Sequence, residues 1–264
     1  MRILLSNDDG IGAEGLATLA AVACTLGEVK IVAPDREKSA CGHGFTMRDP
    51  LRLKPVDYHR IGAQWGFDLP AIEAYETNGV PTDCVNLGLF AAWPDGCDLI
   101  LSGINAGPNL GFDITYSGTV AAAMEGVINR VKSIAISMAI FVDGAPMHFA
   151  TGESWLRDNL AGLVNLEMPE LTFLNVNVPA IAPAEIAGTR VTTMGQRVYA
   201  ERMERREDPW GRPYYWQGGN VVMRPDQPGT DVKAVSEGYV SVTPVSLDWT
   251  RTSLIEPMRE LVER

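Results

Sequence analysis

The sequence predicts an α/β fold in which a parallel sheet is covered by helices. Three observations carry that prediction. Strand-length apolar runs alternate with segments of helical period through the first two thirds of the chain, the runs read as buried, and each ends in a polar, glycine-containing loop.

Ile3 to Leu5 is the first strand. Leu16, Leu19, Ala20, Ala23 and Leu26 then recur at intervals of three and four, which marks one helical face, and Gly27 stands where a C-cap would fall. A second strand follows, "VKIVAP" (Val29 to Pro34), and then the polar loop "PDREKSACGHG" and a further strand expected around Phe45 to Leu53. Pro81 to Trp93 reads as a helix, with Thr82 as N-cap and Pro94 as its stop. "DLILSGIN" (Asp98 to Asn105) is the clearest buried strand. After Ser117, Gly118 and Thr119 comes "VAAAMEGVINR", which is rich in helix formers. Strands are expected over Ser133 to Ala139 and Phe173 to Val178, with a helix inside Met147 to Leu166.

The last third differs. "RVYAERMERREDPWGRPYYWQGG" is charged and aromatic without a clean period, and "GYVSVTPVS" (Gly238 to Ser246) alternates like an exposed or edge strand. The chain therefore divides into an α/β domain, residues 1–185, and a C-terminal extension, residues 186–264. The extension reads as an arm of hairpins whose exposed aromatics suit subunit contacts or a substrate lid, or else as an ordinary irregular layer.

With 264 residues and 46% hydrophobic content the chain can bury a large core, and its net charge of -11 repels the backbone of a nucleic acid polymer. The four cysteines form no CxxC pair and the chain starts with charges at Arg2, Asp8 and Asp9, so a reducing cytoplasm with free thiols is expected. The longest near-apolar stretch, Ile134 to Val142, is far short of the ~20 residues of a membrane span and reads as a central strand.

Ligands of open parallel α/β sheets bind beyond the carboxyl ends of the strands. "SNDDG", "DREKSACGHG" and "SGINAGPNLG" all fall there, together with the helix start at "YSGT". Two carboxylates about 4 Å apart repel by roughly 4 kcal/mol at an effective dielectric of 20. A divalent cation removes that cost: Asp8 and Asp9 supply charge, and Ser39 and Asn105 supply neutral oxygens of the kind Mg²⁺ takes. Each motif alone also reads as a turn or loop. The helix start offers Ser117, Gly118 and Thr119 to an anion, or Ser117 or Thr119 as a plain N-cap, and Asn109 stands ready to donate to the same anion. His43, between two glycines in the Ser39 loop, is a general acid, a phosphate donor, or a loop residue without a role.

Taken together, "ILLSNDDGIGAEG", "VAPDREKSA", "LSGINAGPNLGFDITYSGTVAAAMEG" and "GTDVKAVSEGYVSVTP" resemble the motifs of the SurE (survival protein E) family of nucleotidases. The resemblance implies a Rossmann-like three-layer domain, a C-terminal arm exchanged in homodimers or homotetramers, and hydrolysis of nucleoside 5'- and 3'-monophosphates. In some members short polyphosphate is also a substrate. It implies one divalent ion per subunit, Mg²⁺ or Mn²⁺, on Asp8, Asp9, Ser39 and Asn105, with Ser117, Gly118, Thr119 and Asn109 at the phosphate. The reaction expected of these groups is in-line attack by an activated water, with Asp8, Asp9 and Asn109 in catalytic roles; the alternatives are that Asp8 or Asp9 accepts the proton of that water or attacks directly. Where the family has a serine-rich stretch after Ser39, this chain has "ACGHG". A dehalogenase-like phosphatase is disfavoured because its acids are spaced D-x-D. The readings from other classes are a Mg²⁺-binding receiver-like signalling module and a non-catalytic nucleotide-binding protein.

Overall fold

The computed structural model describes residues 1–140, 144, 146–199, 203–217, 221–223 and 227–263. Phe141 and Val142, which end the expected central strand, and residues 200–202 and 218–220 of the charged aromatic segment lie outside the described residues.

A nine-stranded, mostly parallel sheet forms the centre of the molecule. Its first strand is β1 (Arg2–Ser6), followed by α1 (Glu14–Ala23), β2 (Glu28–Pro34), the short β3 (Leu53–Pro55), α2 (Tyr58–Gln64), β4 (Glu73–Thr77) and α3 (Pro81–Leu87). Next come β5 (Leu99–Asn105), α4 (Gly118–Ile128), β6 (Lys132–Ala139), α5 (Phe149–Asn165), β7 (Thr172–Pro179) and β8 (Gly188–Val191). The remaining elements are β9 (Arg197–Tyr199), β10 (Met203–Glu207), β11 (Pro213–Gln217), β12 (Val221–Met223), α6 (Asp231–Ser236), β13 (Tyr239–Ser246) and α7 (Ile255–Val262).

The sheet order is β3-β4-β2-β1-β5-β6-β7-β13-β8. From β4 to β7 every neighbouring pair is parallel, while β3 pairs antiparallel with β4 and β13 antiparallel with β7. The chain winds outward from β1 through β2 to β4, then returns to the other side of β1 and winds away through β5, β6 and β7. That reversal creates a crevice at the carboxyl ends of β1 and β5.

Strand alternation sorts the core into two faces. Ile3, Leu5, Ile31, Leu101 and Ile136 meet α1, α2 and α5 in one cluster. Leu4, Val32 and Ile100 meet α3 and α4 on the other, with Ala135 and Phe173 extending that layer toward the C-terminal part of α4. The result is a three-layer, Rossmann-like sandwich.

Several elements differ from the sequence reading. β13 is an interior strand, not an edge: it lies between β7 and β8, and its alternating polar residues Ser241 and Thr243 are buried, where they bond Thr192. β8 and β13 thus complete the main sheet from within residues 186–264, and the same segment also forms the antiparallel ribbon pairs β9 with β12 and β10 with β11. The strand expected around Phe45 to Leu53 begins only at Leu53. Pro50 has no N–H for a ladder, and the N–H of Thr46 donates to Asp83 instead. Val80, not Thr82, is the N-cap of α3: Pro81 takes the first helical position and the Asp83 carboxylate accepts from the Val80 N–H at 2.9 Å. α1 is capped by Cys24. Gly27 stands further on, in the turn where a side chain would collide with the Met1 carbonyl. α2 and β4 were not foreseen, because Glu73 to Thr77 has little apolar character.

Asp83 also ties the loop after β2 to the sheet, since the Thr46 hydroxyl donates to it at 2.7 Å. Replacing this buried acceptor leaves donors without a partner. Asp83→Ala is expected to cost about 1–3 kcal/mol in urea unfolding; an unchanged midpoint would mean that the loop is held by other contacts.

Candidate active site

At the crevice between β1 and β5, Asp8 and Asp9 follow β1, Ser39 sits in the loop after β2, and Asn105 ends β5. A register shift in β5 between Ser102 and Asn105, where it pairs with β6, re-aims the end of that strand. All four residues line one cavity of about 400 Å³, together with Glu37, Asn109, Asp113, Tyr116 and Ser117. No Lys or Arg lines it among the described residues.

Asp8 is buried against the start of α4. Its carboxylate accepts the Thr119 hydroxyl proton in a very short hydrogen bond, and Gly118 lies so close that a side chain there would stand 2.8 Å from Asp8 Cβ and 3.0 Å from Oδ2. The helix start therefore faces a carboxylate of the chain itself. Burial pushes the Asp8 carboxyl upward in pKa, opposed by the Thr119 hydroxyl and by the backbone amides of Thr119 and Gly118. Asp9 accepts from the Ala106 N–H at 3.0 Å. Its pKa is pushed up to about 6, first by burial, then by the neighbouring Asp8, and more weakly by Glu37.

The other expected residues fall into distinct settings. Ser117 caps α4 by accepting from the Val120 N–H at 3.1 Å, which leaves its hydroxyl proton free to donate into the cavity. Thr119, expected at the phosphate, is fully buried with its proton committed to Asp8, and Gly118 packs on Asp8; neither lines the cavity. Ser39 donates to Glu37 at 2.7 Å. Asn105 gives an amide N–H to the Gly107 carbonyl at 2.8 Å, which leaves its amide oxygen for a ligand. His43 pairs with Glu125 of α4 at 3.0 Å, so it straps the Ser39 loop to the helix and does not line the cavity.

Asn109 is held on both backbone groups by asparagines of β7. Its N–H donates to Asn177 at 2.9 Å, and its carbonyl accepts from Asn175 at 2.8 Å and Asn177 at 2.9 Å. Its side-chain amide donates to Ser137 at 2.8 Å. The sequence reading missed Asn175, Asn177 and Ser137. The signal was present in "FLNVNV", where two amides alternate in an otherwise apolar buried strand and so share one face.

The donor set fits a hard divalent cation. Among the described residues no three His, Cys, Asp or Glu side chains converge to hold a metal; at this cavity Asp8 and Asp9 would supply the charge, and Ser39 and Asn105 neutral oxygens. Such an all-oxygen set suits Mg²⁺ or Mn²⁺. A second cavity, about 480 Å³, opens at the opposite end of β6 and β7. Arg130, Lys132 and Glu170 line it, and the Lys132 ammonium donates to the Val164 and Leu166 carbonyls.

A family model described as "Survival protein SurE" matches residues 3–201. The chain belongs to the SurE family. It is 44% identical over 264 residues to a protein named 5'-nucleotidase SurE from Pelotomaculum thermopropionicum, covering 100% of this chain and 96% of the relative. It is 45% identical over 261 residues to the protein of that name from Gemmatimonas aurantiaca, covering 98% of each. The crystal structure of the SurE protein from Aquifex aeolicus superposes with a TM-score of 0.82 at 39% identity, over 99% of both chains. These SurE matches span the strands and loops that build the crevice.

The raised Asp9 pKa sets a pH dependence. A carboxyl with a folded pKa of about 6 binds its proton more tightly folded than unfolded, so its contribution favours the folded state in acid and is lost as pH rises from about 4 through 6. In the presence of a chelator, Asp9→Asn should therefore raise Tm near pH 8 and leave it nearly unchanged near pH 4. An equal shift at both would show that charge is not the cause.

Proposed function

We propose that this protein is a divalent-metal-dependent phosphomonoesterase that hydrolyses nucleoside 5'- and 3'-monophosphates, with short-chain polyphosphate as a further substrate. The observation that carries the reading is the like-charged Asp8–Asp9 pair in one cavity with the oxygens of Ser39 and Asn105 and no neutralising Lys or Arg. The names of the SurE relatives support the nucleotidase part of it.

Asp8, Asp9, Ser39 and Asn105 would hold one Mg²⁺ or Mn²⁺ per subunit. Bound there, the ion supplies charge neutralisation at the phosphoryl oxygens and a lowered pKa for an attacking water. The chain's own groups do the rest. Thr119 fixes the Asp8 carboxylate and the Ala106 amide fixes that of Asp9, so neither reorganises as negative charge arrives. The Ser117 hydroxyl donates to the phosphoryl group while its oxygen caps α4. Asn109, immobilised by Asn175 and Asn177, offers its remaining amide proton to the same group. The P–O bond to the nucleoside breaks as the water attacks, and the departing ester oxygen takes its proton from solvent.

The decisive experiment incubates the purified protein with 5'-AMP and Mn²⁺ or Mg²⁺. Phosphate release that stops with a chelator is expected, and Asp8→Asn or Asp9→Asn should lower kcat by about a thousandfold or more while the protein stays folded. No release with either metal would sink the proposal.

We propose further that copies of this chain associate through the C-terminal ribbon and α7. In support, Trp210, Trp216 and Trp249 are exposed, as are Leu254, Met258, Leu261 and Val262 around α7, an apolar surface large for a lone subunit. Light scattering should report a dimer or tetramer, and removal of residues 250–264 should lower the mass. A full-length monomer at micromolar concentration would contradict this.

A further inference from the structure

Asp231 is a fully buried acid that the chemistry above does not use. Its Oδ2 accepts from the Gly111 N–H at 2.8 Å, and its Oδ1 accepts from the Gly195 N–H and the Val232 N–H, each at 2.7 Å. Gly111 opens the turn Gly111–Thr115 that joins Asn109 to Ser117. Gly195 stands at the root of the ribbon, two residues before β9, whose backbone runs beside that same turn. The ribbon root is tied down a second time, because the Asp231 N–H donates to the Thr193 carbonyl at 2.9 Å. Leu110 completes the joint by packing on Val232 and Val235 of α6.

Thr230 already caps α6 by accepting from the Lys233 N–H, so of the Asp231 contacts only the Val232 N–H belongs to the helix start, while Gly111 and Gly195 come from elsewhere in the chain. A carboxylate in that place is costly to bury and is compensated here by N–H groups that converge from both sides. Only an acceptor-only group satisfies all three, since an amide would turn an N–H against one of them.

We infer that Asp231 is a positioning residue: through one carboxylate it fixes the loop that carries Asn109 and Ser117 to the root of the C-terminal ribbon, so that displacement of the ribbon is felt at the site. The kinetic part of the inference rests on the phosphomonoesterase reading. Gly195 is part of the same joint. A methyl group there would stand 3.0 Å from Asp231 Oδ1 and 2.9 Å from Val232 Cγ2, and would push on the clamp from the ribbon side.

The test uses full-length protein and three variants, Asp231→Asn, Gly195→Ala and Thr230→Ala, with 5'-AMP and Mn²⁺. The first two should lower kcat about tenfold with KM within about twofold, as misplacement of transition-state contacts does. Both should also speed amide hydrogen exchange over residues 106–117. Thr230→Ala removes the cap of α6 at the same joint but none of the three carboxylate contacts, so it should lower Tm with a smaller effect on kcat and on that exchange than the first two. Unchanged exchange over 106–117 in Asp231→Asn and Gly195→Ala, or equal effects in Thr230→Ala, would overturn the inference. If Asp231→Asn fails to fold, Gly195→Ala and the exchange measurement decide. If the unmodified protein releases no phosphate, the phosphomonoesterase reading falls and exchange alone tests the positioning role.

Discussion

The repulsion between Asp8 and Asp9 is the constraint around which the rest of the molecule is arranged. Two adjacent carboxylates at the end of a buried strand are tolerated because each is held by donors fixed elsewhere in the fold. Asp8 takes the Thr119 hydroxyl at the start of α4, and Asp9 takes the Ala106 amide just beyond β5. Those donors come from segments brought together only by the reversal of strand order at β1 and β5. The winding of the sheet therefore makes the site, and the donors hold its charge in place without cancelling it.

Glycine 118 links the sequence motif to this electrostatics. In an isolated "SGT" it looks like a place where a bound phosphate could approach a helix start. In the fold it admits the side chain of Asp8, so the positive end of α4 stabilises a resident carboxylate. Ser117, one residue earlier, is the hydroxyl that faces the cavity. The donors of the helix start are thus divided between the Asp8 carboxyl and the space in front of it.

Most of the parallel sheet was legible because its strands are short, continuous apolar runs with polar loops at their ends, and long-range winding adds nothing that such runs contradict. That Asp8, Asp9, Ser39 and Asn105 share one cavity was legible too, because all four lie in the polar segments that follow or end β1, β2 and β5. What could not be read depends on partners distant in sequence. β13 alternates like an exposed strand, yet Ser241 and Thr243 are buried against Thr192 from β8's end. That the Thr119 hydroxyl donates to Asp8, over a hundred residues earlier, likewise has no local signal. Asn175, Asn177 and Asp231 carry no local motif, because their role is to hold the backbone of a loop far from them in the chain.

The proposed role of the Asp8–Asp9 pair is to bind a divalent cation with the oxygens of Ser39 and Asn105. Titration of the chelator-treated protein with Mn²⁺, followed by the loss of free-ion signal in electron paramagnetic resonance, tests it without recourse to turnover. The account predicts one ion bound per chain near pH 7.5, weakened about a hundredfold or more in Asp8→Asn and in Asp9→Asn. Saturation unchanged in both variants, or no binding by the unmodified chain, would contradict it.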